Sequence, residues 1–404
     1  MHVCLLTSGR IFEAFHGGEE KFTLSLAEWL FNQDIDVTIM GSTFLNVKAK
    51  TLSRENAAVI STMPSKGRTL HPPYFVYMLS RLALSLFWTL KIWSLHRSVP
   101  ITMIHAQDTG YAGLAAIITG KLLRIPVVLS SHGIRHRTLA QSMKGKLTKF
   151  LLKFEYQLDI FNLRKADAVV VVSGNIKTYF ERIVSREIKV IPVPIRVKDF
   201  QFSESDRISI RKELGIPNDQ TIVGYVGRLA PEKNLPTLLS SFMDALNYVN
   251  SIKLVLVGSG PSETELKKYV DHNKADNDIR FCGARRDVSR VLSGFDIFVL
   301  PSYIEGQSTA LLEAMASGRA IICSDIAANR ELLSDNDATF FDPSNVKDLS
   351  NGIQLLCTDE HLRAERGKNC RIKAITFDEN EVFPSLLKYY NQVSQKGQQG
   401  IDIH

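Results

Sequence analysis

The sequence has no Cys-x-x-Cys pair, no His/Cys/Asp/Glu cluster at metal-ligand spacing and no nucleic-acid recognition motif. Its five cysteines (Cys4, Cys282, Cys323, Cys357 and Cys370) are odd in number and mostly have apolar neighbours. That argues against a disulfide framework and for buried thiols in a reducing cytoplasm. No apolar h-region opens the chain: Met1-His-Val-Cys-Leu-Leu-Thr7 is short and reads as a first strand. A transmembrane span is missing too. Tyr74–Trp93 is long enough to suggest one, but Arg81 and Lys91 interrupt it. A helix half-buried in the first domain, with a face toward lipid, is expected there instead.

What is present is ordinary globular composition, 45% hydrophobic and 23% charged. A chain of 404 residues exceeds the size at which single cores stop growing, so two domains are expected. The net charge of +7 is uneven: Ile134 to Lys198 holds 14 Lys/Arg against 5 Asp/Glu. Such a block suits nucleic acid, anionic lipid or an acidic substrate, or is simply a solvated helical face. With no recognition motif beside it, nucleic acid is not expected as a partner.

Short apolar runs alternate with helical patterns. Strands are predicted at His2–Thr7, Ile35–Met40, Ile101–His105, Val127–Ser131 and Ala168–Val172, with helices near Glu19–Phe31, Pro73–Leu95, Gly110–Leu123 and Gln141–Leu163. A second series follows at Thr221–Val226, Lys253–Val257, Ile279–Cys282, Phe295–Leu300, Ala320–Cys323 and Thr339–Phe341. Two such βα series imply an α/β chain of two doubly wound, Rossmann-like domains facing across a cleft. Their expected extents are residues 1–194 and 203–374, joined near Pro192–Phe202. A C-terminal helix over about residues 375–396 is expected to cross back to the first domain.

The chemistry gathers at Leu300-Pro-Ser-Tyr-Ile-Glu305-Gly-Gln-Ser308-Thr-Ala-Leu-Leu-Glu313 and on to Gly318. Pro301 ends a buried strand, Ser308 or Thr309 can cap a helix, and Gly318 stops it. Backbone amides at such a helix start favour an anion. Eight residues of helix would separate Glu305 from Glu313 by about 12 Å, too far for two carboxylates flanking one glycosidic bond. They suit opposite ends of an extended ligand with phosphates between, the shape of a nucleotide-sugar.

Gly227-Arg228-(x4)-Lys233-Asn234 sets two cations just past the first strand of the second domain, where ligands bind in open α/β sheets. A guanidinium fork and an ammonium point charge suit a diphosphate. Gly258-Ser-Gly260-Pro261 superficially meets the dinucleotide fingerprint, but lies inside the second domain and reads as a tight turn. His105 and His132 end adjacent strands and are site candidates. Asp34-Ile-Asp36, Asp276-Asn-Asp278 and Asp335-Asn-Asp337 read as turn chemistry, so no metal site is expected.

Taken together, Gly17-Gly18, Ser131-His132-Gly133, Val170-Val-Val-Ser173, Gly227-Arg228-(x4)-Lys233-Asn234, Val257-Gly-Ser-Gly-Pro261 and Glu305-Gly306-(x6)-Glu313-Ala-Met-Ala-(x)-Gly318 resemble the retaining GT-B glycosyltransferases of the GT4 family over nearly the whole chain. The resemblance implies that Arg228 and Lys233 hold the donor diphosphate, with amides of Gln307, Ser308 and Thr309 on its phosphates. It implies Glu313 on the ribose, Glu305 on the donor sugar, His132 near the anomeric centre and Gly18 permitting closure on the donor. It also implies hexosyl transfer from a nucleoside-diphosphate sugar to a hydroxyl, without a cofactor or metal. Two positions depart from the pattern. Gln307 stands where an aromatic is usual, which leaves the donor sugar open, and Val193-Pro194 stands where Asn-Gly is frequent.

A GT-B epimerase or phosphorylase, or a non-catalytic nucleotide-binding module, would share this architecture. A nicotinamide oxidoreductase would need glycines on the opening strand that Thr7-Ser-Gly-Arg10 does not supply. Met143–Phe154 alternates lysines (Lys144, Lys146, Lys149, Lys153) with apolar residues at helical spacing. The expected setting is therefore the cytoplasm, peripheral on the anionic cytoplasmic face of a membrane, with a lipid-linked glycan or glycolipid as acceptor.

Overall fold

A computed structural model describes residues 1–8, 18–43, 46–52, 74–135 and 146–399. The chain divides into two compact units, residues up to Val193 together with those from Asn380 on, and Pro194–Glu379.

The first unit is built on a seven-stranded sheet ordered β3-β2-β1-β4-β5-β6-β7. The strands are β1 (His2–Leu6), β2 (Asp36–Thr43), β3 (Asn46–Leu52), β4 (Met103–Ala106), β5 (Val127–Ser131), β6 (Ala168–Val171) and β7 (Lys189–Val190). All neighbours are parallel except β2 and β3. Parallel strands covered on both faces must be apolar throughout, and Val3, Cys4, Leu5 and Leu6 of β1 are fully buried. β3 departs from the sequence reading. Asn46-Val-Lys-Ala-Lys-Thr-Leu52 largely alternates polar and apolar residues as an antiparallel edge strand does, and so lacks the continuous apolar run of a buried parallel strand.

Helices α1 (Gly18–Asn32), α2 (Tyr74–Ser98), α3 (Tyr111–Leu123), α4 (Lys146–Lys165) and α5 (Gly174–Glu181) connect the strands. The start expected for α4 at Gln141, and Lys144 with it, lie outside the described residues. Along α4 the apolar side chains divide, with Leu151 buried and Phe150 exposed. The C-terminal helix Glu379–Gln399 seals the unit from Asn380 on. The Phe383 ring is buried between Phe22 and Trp29, and the Tyr390 hydroxyl hydrogen-bonds His105 Nδ1.

The second unit has a parallel six-stranded sheet ordered β10-β9-β8-β11-β12-β13. Its strands are β8 (Thr221–Val226), β9 (Ile252–Val257), β10 (Ile279–Phe281), β11 (Ile297–Leu300), β12 (Ala320–Ser324) and β13 (Ala338–Phe341). The order reverses between β8 and β11, and a doubly wound sheet opens a crevice at that switch point, past the strands' carboxyl ends. The first sheet reverses between β1 and β4.

All five cysteines are free; Cys4, Cys323 and Cys370 are buried, Cys282 and Cys357 only partly. The aspartate turns behave as turn chemistry: Asp34 has φ 63°, Asp278 pairs with Lys253, Asp335 with Arg330 and Asp337 with Lys373. Among the described residues no helix is long and apolar enough to cross a membrane, and no group of three or more His, Cys, Asp or Glu is placed to hold a metal.

Candidate active site

Past the carboxyl ends of β8 and β9, two loops are laid backbone against backbone. Beyond β8, Gly227 N–H donates to the Val257 carbonyl and Leu229 N–H to the Ser259 carbonyl, while Ser262 N–H returns to the Leu229 carbonyl. Glycine is what lets them approach. A Cβ on Gly258 would lie 1.8 Å from the Gly227 carbonyl oxygen, and one on Gly260 2.3 Å from that of Leu229. Gly258-Ser-Gly260-Pro261 is thus a close-packing turn, and what it packs is the loop carrying Arg228 and Lys233.

That loop runs into a 3-10 turn, Pro231–Lys233, which Asn234 ends in the left-handed region at φ 54°. The Asn234 side chain donates to the Pro343 carbonyl at 2.8 Å and accepts from Thr237 at 2.7 Å. Lys233 is therefore fixed from behind. Its ammonium meets Glu305 Oε1 at 2.7 Å, with side-chain exposures of 20% and 8%. The partners are 72 residues apart in sequence, and adjacency of β8 and β11 brings them together.

Glu305 has a second support. Ser302 Oγ donates to the same carboxylate oxygen at 2.7 Å, the Ser302 carbonyl accepts from Ser324 Oγ at 2.6 Å, and Asn329 Nδ2 donates to the Ser324 carbonyl at 2.8 Å. Ser302, Ser324 and Asn329 are all buried. This chain of positioning residues was missed in the sequence, where lone serines carry no signal.

Arg228 is paired within its own loop. Its guanidinium is 59% exposed and meets Glu232, four residues on. Ser308 caps the helix Thr309–Ala316 by accepting from Leu311 N–H at 3.3 Å. Residues 305–308 are not helical, so the separation estimated for Glu305 and Glu313 from continuous helix does not apply. Glu313 is buried rather than solvated. Gln307, Ser308 and Thr309 form the entry to this helix.

In the first unit His132 follows β5. Its Nε2 lies 3.2 Å from Gln107 Oε1, its ring meets Phe22 of α1 edge-on at 4.8 Å, and Nδ1 is buried without a partner among the described residues. Gly18 opens α1 and is exposed; Gly17 lies outside the described residues. Two residues past Gly133, Arg135 is clamped by Glu155 at 2.5 Å and Asp159 at 2.9 Å, both from α4. These neighbours hold its guanidinium firmly charged. The spacing of Glu155 and Asp159, four apart on one helix face, was the legible signal for this missed network.

Burial lowers the His132 pKa to about 4 and that of His105 to about 3, from 6.5. Both imidazoles are neutral at pH 7. A histidine whose folded pKa is depressed binds its proton more readily unfolded, so its stabilising share is complete above 6.5 and lost as pH falls toward the folded value. The histidine share of stability is expected to fall between pH 6.5 and 4, against an opposing gain from Glu19, whose carboxyl is pushed by burial well above its usual range. Thermal scans of the wild type and His132→Gln at constant ionic strength check this: the variant should lose less melting temperature over that range, and parallel profiles contradict it.

Residues 206–373 match the family described as "Glycosyl transferases group 1" and residues 16–198 match "Glycosyltransferase Family 4". The putative teichuronic acid biosynthesis glycosyltransferase TuaC of Bacillus subtilis is 29% identical over 68% of this chain and 64% of its own length. The N,N'-diacetylbacillosaminyl-diphospho-undecaprenol alpha-1,3-N-acetylgalactosaminyltransferase of Campylobacter jejuni is 29% identical over 81% of this chain and 88% of its own. In fold, sucrose-phosphate synthase from Thermosynechococcus elongatus superposes with TM-score 0.78 at 19% identity, covering 97% of this chain and 98% of that one. With one family match on each doubly wound unit, the chain belongs to the GT4-type retaining glycosyltransferases of GT-B fold.

Proposed function

We propose that the enzyme moves a hexosyl group from a nucleoside-diphosphate sugar to a hydroxyl of a lipid-linked glycan or glycolipid, retaining the anomeric configuration. The observation that carries this is the Lys233–Glu305 pair at the switch point of the second sheet, beside the capped helix that opens at Ser308. Arg228 and Lys233 take the diphosphate, with amides of Gln307, Ser308 and Thr309 on its oxygens. Lys233 already carries a carboxylate, so the diphosphate shares or displaces Glu305, which is thereby freed toward the sugar. Glu313 takes the ribose hydroxyls. In the first unit, the unpartnered Nδ1 of neutral His132 accepts from a sugar hydroxyl, and Gly18 leaves room for the donor.

In the transfer, the bond from the anomeric carbon to the diphosphate breaks while the acceptor oxygen bonds to that carbon from the same side. The acceptor's proton passes to the departing phosphate oxygen. Arg228, Lys233 and the helix amides stabilise the charge that develops there. No cofactor or metal is part of this reading, because these cations supply the positive charge. The lipid-linked acceptor is supported by the Campylobacter relative, whose name places its acceptor on diphospho-undecaprenol. A peripheral position at the cytoplasmic membrane face is part of the same proposal.

Screening uridine, guanosine and adenosine diphosphate sugars for release of the nucleoside diphosphate tests the donor class. The carboxylates divide the labour: Glu305→Gln is expected to depress transfer while leaving nucleoside-diphosphate affinity nearly intact, and Glu313→Gln to weaken both. Calorimetric titration beside turnover decides. Equal loss of nucleotide affinity in the two variants removes the assignment.

A further inference from the structure

α2 is apolar on two sides, and only one is used. Trp88 and Ile92 are fully buried, and Ser85 Oγ ties the helix to α3 through the Tyr111 carbonyl at 2.8 Å. Opposite them, Leu79, Leu86, Phe87, Leu90 and Trp93 fall within an arc of about 120° at 100° per residue. All are exposed, with Leu86 at 60%, Phe87 at 63% and Leu90 at 55%. α3, which packs beside α2, adds exposed Ile118 and Leu122. Scattered exposed leucines are common; a one-sided row of five large apolar side chains on one helix marks an interaction surface.

Charge says what covers it. α2 and α3 contain no acidic residue, and the exposed charges on them and on the residue that ends α3 are the cations Lys91, Arg97, Lys121 and Arg124. From Asn56 to Phe154 the sequence carries 13 Lys/Arg and a single acidic residue, Asp108. The Arg97 guanidinium lies 3.7 Å over the Trp93 ring, so a cation and an interfacial aromatic share one position. Apolar side chains framed by cations, with no anion among them, are complementary to acyl chains beneath anionic headgroups. Leu151 of α4 is turned into the core, so the basic segment singled out in the sequence is the lesser part of such a surface.

We propose that the outer face of α2, with the adjoining end of α3, docks the protein on an anionic lipid bilayer. This deepens the reading of a lipid-borne acceptor and rests on it for its purpose. Vesicle binding and turnover are measured apart, so either can fail alone.

The test is co-sedimentation of the full chain with vesicles of phosphatidylcholine alone or with phosphatidylglycerol, at low and high salt. The wild type is expected to pellet with anionic vesicles at low salt. The triple variant Leu86→Ser, Phe87→Ser, Leu90→Ser should lose binding by about tenfold or more, with an unchanged melting temperature, because these side chains already face solvent. Lys91→Glu with Arg97→Glu should weaken binding at low salt and match the wild type at high salt. Diphosphate release with a soluble acceptor should be unaltered in both. Loss of turnover with vesicle binding intact counts against the functional reading alone. Failure of the wild type to pellet, or triple-variant binding equal to wild type, overturns the docking surface. So does a wild-type dimer that the triple variant dissolves, which would assign the face to a second copy of the chain.

Discussion

Lys233→Ala is expected to lower kcat/KM by a factor of about 30 to 1,000, equivalent to about 2–4 kcal/mol of lost stabilisation on the leaving diphosphate. The ammonium is preorganised: the left-handed Asn234 behind it and Glu305 at 2.7 Å leave it little freedom to reorient. Its removal also strands the Glu305 carboxylate, only 8% exposed, without its cation. A double variant separates the two causes. If the stranded carboxylate is responsible, adding Glu305→Gln brings turnover up to that of Glu305→Gln alone; if the missing cation is, the double variant stays slower than either single variant. Steady-state kinetics on Lys233→Ala, Glu305→Gln and the pair measure this. Arg228→Ala is expected to act in the same direction, and near-wild-type turnover in both single variants refutes the clamp.

The largest expected effect on stability comes from Gly258→Ala, at about 3–5 kcal/mol. Two penalties combine. The residue has φ 142°, where side chains are strained, and its new Cβ would sit 1.8 Å from the Gly227 carbonyl oxygen. Backbone on both sides leaves no flexible group to give way, so the loop bearing Arg228 and Lys233 must shift. For a unit of this size the melting temperature should fall by roughly 10 °C, read by calorimetry. Gly133→Ala is the control: a Cβ there meets nothing among the described residues within 4 Å, and little change is expected. Equal melting temperatures for Gly258→Ala and wild type would refute the close-packing role.

Apart from β3 and the two-residue β7, the strands of both sheets were legible because parallel strands buried on both faces are continuous apolar runs, and Val127–Ser131 and Thr221–Val226 were placed to the residue. Strand order was not written in any one stretch, and order is what joins Lys233 to Glu305. The sequence could name both residues without showing that they touch. The Glu305–Glu313 estimate lost its premise for a related reason: it took as continuous helix a segment whose helix starts only after Ser308. Ser302, Ser324 and Asn329 stayed invisible because small polar side chains become supports only when the turn after β11 lies against β12. A lipid-facing side of α2 was expected from its sequence, but which residues would form it was readable only once Trp88 and Ile92 were seen to face the core.

Proton NMR of a reaction containing the accepted nucleoside-diphosphate sugar and a hydroxyl acceptor tests the central claim most directly. One new anomeric signal should appear with the donor's configuration, growing in step with free nucleoside diphosphate. An inverted signal, an epimerised donor without a new glycosidic bond, or no diphosphate from any donor would contradict it.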